Sequence, residues 1–61
     1  MNWRKEVLKQ LETLSRYSLG IHTYGDREPE LREALEYWES KRKVHRADEG
    51  DGWTLWKLGK A

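Results

Sequence analysis

Lys41, Arg42, Lys43, His45 and Arg46 crowd four cations and a titratable ring into the six residues "KRKVHR". Such a cluster can hold a phosphate backbone, because positioning contacts to nucleic acid come mainly from Lys and Arg. Arg4, Lys5 and Lys9, nearer the start of the chain, could join it. The same residues can serve a structural end instead. Positive charge at the end of a helix complements its dipole and neutralises nearby carboxylates. The residues themselves leave both readings open. Upstream, Glu28, Glu30, Glu33, Glu36 and Glu39 face only Arg27 and Arg32 across residues 27–40, and downstream Asp48, Glu49 and Asp51 surround a glycine-rich tip. Charge is segregated rather than in excess. The whole chain has 12 Lys and Arg against 11 Asp and Glu, net +1, which is not the balance of a protein that coats DNA through bulk charge.

Other chemistries find less support. His22 and His45 are the only histidines and there is no cysteine, so a zinc site would lean on both histidines plus carboxylates, with no ligand-spacing motif. No nucleophile-and-base pairing and no phosphate-cradling glycine loop is present, and a chain this short does not easily enclose a pocket. The expectation is a non-enzyme with no metal and no cofactor. Trp3 and Trp38 fall on helical apolar stripes and read as packing residues. Trp53 and Trp56 differ by three and so point to opposite faces of a strand. One belongs to the core; the other, nominated as Trp53, is left to stack on a base or anchor a partner.

Sixty-one residues make one domain, residues 1–61, with a thin core and a stability of about 5 kcal/mol at roughly 0.1 kcal/mol per residue. Four Trp and three Tyr offer the large side chains that a small core without disulfides needs. No apolar run approaches the ~20 residues that span a bilayer, and the amphipathic "MNWRKEVLKQ" is unlike a signal peptide. The expected setting is cytoplasmic, with no membrane partner.

Trp3, Val7, Leu8, Leu11 and Leu14 recur at helical spacing and predict a helix over 3–17, with Asn2 as N-cap and Gly20 as the left-handed terminator. "IHTY", residues 21–24, predicts a short strand. Pro29 suits a first helical turn, and Leu31, Ala34, Leu35 and Trp38 mark the buried stripe of a second helix over 29–42. From Lys43 the period changes to two, and "KVHRADE" and "WTLWKL" flank "GDG" as a hairpin. An Asp51–Gly52 turn is the preferred register. It sets Trp56 opposite Ala47 and puts Ala47, Trp56 and Leu58 on the face against the helices. The expected fold class is α+β: two main helices, a short strand and a C-terminal β-hairpin.

That order resembles a winged helix-turn-helix domain. Residues 28–59, "EPELREALEYWESKRKVHRADEGDGWTLWKLG", are similar to its recognition helix, hairpin strand, wing and closing strand. The resemblance implies three helices, with a short middle one across the recognition helix; "LGIHTYGDREP" leaves room for a strand or one turn. It also implies a DNA-binding protein, such as a transcriptional regulator or a phage- or plasmid-type accessory factor. Helix 29–42 would then lie in a major groove.

The charge map pulls against groove reading, since five glutamates on that helix would be repelled by phosphates. Duplex DNA, held by Arg32, Lys41, Arg42, Lys43, His45 and Arg46, is the first expectation. The alternative is a protein-interaction module of the same fold, offering Glu33, Glu36 and Trp53 to a protein with a basic groove. A homodimer is attractive for a chain with so little surface.

Overall fold

A computed structural model describes residues 2–59. Helix α1 (Trp3–Ser15) starts where Asn2, in extended conformation, accepts the backbone N–H groups of Arg4 and Lys5 through its side chain. It buries Val7 and Leu11. The helix ends earlier than Gly20 suggests. Ser18 takes the left-handed conformation (φ 59°), the Ser18 N–H donates to the Ser15 carbonyl (3.1 Å) and the Leu19 N–H to the Leu14 carbonyl (3.0 Å), the paired bonds of a Schellman ending. Gly20 has another task. A Cβ there would collide with the carbonyl oxygen of Trp56, so glycine lets the chain pass close to the sheet.

Strand β1 (Ile21–Tyr24) leads through a turn at residues 25–28 directly into helix α2 (Pro29–Ser40). No helix intervenes between them. Proline opens α2, and Ala34 and Leu35 are its buried residues. This helix, too, stops two residues short of the expected 42. Arg42 turns left-handed (φ 61°), with the Arg42 N–H on the Glu39 carbonyl (3.0 Å) and the Lys43 N–H on the Trp38 carbonyl (2.9 Å).

Strands β2 (Val44–Gly50) and β3 (Trp53–Leu58) form the hairpin, and the sheet order is β1-β3-β2, antiparallel throughout. Gly50 pairs with Trp53 across a two-residue Asp51–Gly52 turn, as the preferred register requires. Further along, the expectation fails. Trp56 pairs with Arg46, not Ala47, because the register shifts between Arg46 and Asp48. Ala47 is the extra residue of a β-bulge and is exposed. A bulge exchanges the faces of the residues before it. Val44 and Arg46 turn towards the helices, and Val44, opposite Leu58, is 2% exposed. Burying that valine is the packing gain that a regular ladder would forgo.

Both helices cover one face of the sheet, α1 against β3 and α2 against β2. Val7, Leu11, Ala34, Leu35, Val44 and Trp56 make the core, with Ile21, Leu31, Trp38 and Leu58 packed around it. The buried Trp56 indole N–H donates to the Thr23 hydroxyl (2.9 Å). Trp3, expected in the core, is 48% exposed. It is the first residue of α1, and its indole N–H donates to the Glu30 carbonyl (3.2 Å).

Candidate nucleic-acid interface

The left-handed turn that ends α2 pushes Lys41, Arg42 and Lys43 outward together, and all three are exposed. The Lys41 ammonium lies 5.6 Å from the centroid of the Tyr37 ring. Among the described residues none of the three makes an ion pair. The Gly59 N–H donates to the Lys43 carbonyl (2.8 Å) and ties the turn to the end of β3. His45 Nδ1 lies 2.9 Å from the Gly59 carbonyl oxygen. A carbonyl only accepts, so Nδ1 carries the proton and Nε2 is the ring's remaining polar atom.

Arg4, Arg32 and Arg46 meet the opposite fate. Arg46, turned inward by the bulge, donates from Nε to Glu39 (2.9 Å) and from Nη1 to Glu49 (3.3 Å). Glu36 lies 3.6 Å from its Nη2, and the guanidinium sits 4.8 Å above the Trp56 ring. The bond to Glu39 first, then the one to Glu49, raises the Arg46 pKa against the lowering effect of burial. Arg32 donates to the Gly25 carbonyl (3.3 Å) and pairs with Glu36 (3.6 Å). Arg4 is bound to Glu33, which raises its pKa, and lies 4.2 Å over the Tyr37 ring. Helix α2 thus wears a belt of arginines that neutralises Glu33, Glu36 and Glu39.

Of the six cationic candidates, Lys41, Arg42, Lys43 and His45 come together at one end of the molecule, while Arg32 and Arg46 belong to the α2 network. The alternative set does not assemble. Glu33 and Glu36 lie on the helical layer, and Trp53 lies across the sheet from it. The two histidines stand on β1 and β2 with β3 between them.

Sequence reasoning nominated Trp53 and His45 on the outward face of the sheet but passed over the rest of it. Alternation turns His22, Tyr24, Trp53, Leu55, Lys57 and His45 away from the helices, while Thr23, Thr54 and Trp56 are buried beneath. Tyr24 is 52% exposed. The rings form a cluster: His22 and Tyr24 stack at 6.0 Å and 16°, and His22 meets Trp53 at 5.8 Å and 50°. The Trp53 indole lies across Gly50, where a Cβ would overlap its ring. The signal available in sequence was that "IHTY" puts His22 and Tyr24 on one face of a strand, while "WTLWKL" puts Trp53 and Trp56 on opposite faces. A cleft of about 230 Å³ lies at the hairpin tip, lined by Arg32, Arg46, Glu49 and Trp53 among others. It is smaller than the roughly 300–1,000 Å³ of typical ligand sites, and both its guanidinium groups are already paired.

No protein-family model, curated protein or solved structure matches this chain at a significant level.

Proposed function

We propose that this chain is a non-catalytic nucleic-acid-binding module that holds phosphates on the turn Lys41–Arg42–Lys43, with His45 beside it. The observation that carries the reading is the contrast in pairing. The arginines packed along α2 are satisfied by carboxylates, whereas these three consecutive cations face outward without an ion-pair partner among the described residues. Phosphate oxygens are the natural partners for such a set. The order helix, strand, helix, hairpin resembles a winged helix-turn-helix domain without its middle helix, and that resemblance lends the reading some support. It does not extend to groove reading by α2, whose outward Glu30 would approach phosphates with the wrong sign and along which the arginines are taken up by Glu33, Glu36 and Glu39. A protein partner with a basic groove is the weaker reading, because Glu33 and Glu36 already hold arginines.

The test is a charge reversal. Lys41→Glu, Arg42→Glu and Lys43→Glu combined should abolish binding to oligonucleotides and leave the circular dichroism spectrum unchanged, since all three side chains are exposed. Arg16→Glu, at another exposed cation, the C-cap of α1, should leave binding intact. Binding by the triple variant at the wild-type level would refute the assignment.

A further inference from the structure

We infer that the ligand of this module is single-stranded nucleic acid, with bases stacked on Tyr24 and Trp53 on the outward sheet face and phosphates held by Lys57 and the Lys41–Lys43 turn. The inference rests on the phosphate-binding role proposed above and adds a surface and a form of ligand.

The outward face is graded from one end to the other. Tyr24 and Trp53 pair across β1 and β3, His22 and Leu55 form the next row, and Lys57 and His45 pair across β3 and β2. One residue before β2 lies Lys43, tied by its carbonyl to Gly59. From Trp53 to Lys57 the strand advances about 13 Å at ~3.3 Å per residue. That is room for two to four nucleotides, allowing about 3.4 Å per step in a stacked strand and more when extended. Aromatic rings at one end and cations at the other match a polymer of flat bases on a charged backbone. Antiparallel sheets with exposed aromatics stack two or three bases in this manner.

The ring cluster argues against a duplex ligand. In a duplex the base faces are stacked on one another and are not presented to a ring. Protein interfaces also favour aromatic rings, so the charge on this face decides. Here Leu55 is the only aliphatic residue among the six outward ones, and Asp48, opposite Leu55, is the one carboxylate on this face of the paired strands. The tryptophan is also held in place. Gly50 leaves bare backbone beneath the indole, so the ring lies along the sheet and offers its outer face.

The experiment titrates the full chain with labelled oligo-dT of about ten nucleotides, within the 4–16 that comparable surfaces cover, and with a duplex of the same length. Single-stranded dT should bind at least tenfold more tightly. Tyr24→Ala and Trp53→Ala should each weaken dT binding roughly 5- to 100-fold, the loss of one stacked base, and leave duplex binding unchanged. Should Trp53→Ala fail to fold, Tyr24→Leu, at a half-exposed position, gives the same comparison. Binding of dT that is no tighter than duplex, or that survives loss of the rings, overturns the single-strand inference and leaves phosphate binding by the turn standing. Absence of binding to either form overturns both. A self-association seen in sedimentation that the ring variants abolish would assign the face to a second copy and overturn the inference as well.

Discussion

Replacing Arg42 by glycine should make this protein more stable and a poorer binder at once. Arg42 sits at φ 61°, where a side chain with a Cβ costs about 1–2 kcal/mol. Glycine removes that cost but loses roughly 0.5–1 kcal/mol through its freer unfolded chain. The difference is a net gain of about 0.5–1 kcal/mol, with no contact to set against it, because Arg42 is exposed and makes no ion pair among the described residues. For a domain of this size that is a rise in Tm of roughly 2–8 °C. The same change deletes one of the turn's three phosphate contacts, so the salt dependence of binding should fall by about 0.7–0.9 in slope. Thermal melts followed by circular dichroism read the first effect and titrations at several salt concentrations the second. Arg42→Lys is the control: it keeps charge and backbone cost together and should change neither. A lower Tm for Arg42→Gly would show that the arginine side chain supports the fold, and an unchanged slope would remove it from the site.

Three further predictions concern the frame. Thr23→Val keeps the shape of the side chain but leaves the buried Trp56 indole N–H without its 2.9 Å partner; the cost should be about 1–3 kcal/mol, a fall in Tm of roughly 4–24 °C. Leu35→Ala, at a fully buried position, should cost ~2–5 kcal/mol and leave about 0–3 kcal/mol of stability in denaturant titrations at room temperature. Arg46→Ala should lower stability by about 1–2 kcal/mol, through lost ion pairs and lost cover over Trp56, while oligonucleotide affinity measured on the folded fraction stays within twofold.

The elements were largely legible because their signals are local. Asn2 as a cap, "IHTY" as a strand, Pro29 opening a helix and the Asp51–Gly52 turn each depend on a few neighbouring residues, and each stands in the structure. The failures are where a local rule met a tertiary demand. Both helices end on left-handed residues with side chains, Ser18 and Arg42, which no glycine marks. The bulge at Ala47 lies in a run, "VHRADE", whose alternation suits either face. Only the opportunity to bury Val44 decides it, and that depends on helices far away in sequence. The shift also decides the fate of Arg46. Counted as a surface cation, it becomes the centre of the α2 carboxylate network once it turns inward. The basic cluster was therefore readable as a cluster, but not the division between cations that hold the fold and cations left for a ligand. The outward aromatic face needed one more step, the pairing of β1 with β3, which joins residues more than 25 apart.

The most direct measurement is the affinity of the wild-type chain for an oligonucleotide across about 50–200 mM salt. Three phosphate contacts at the Lys41–Lys43 turn and a fourth at Lys57 predict a log–log slope of about −3 for single strands, close to a 50-fold loss over that range. The variant with all three residues changed to Glu should show no binding at the lowest salt. A wild-type chain that fails to bind at ~50 mM salt, or binds with a slope near zero, would contradict the account.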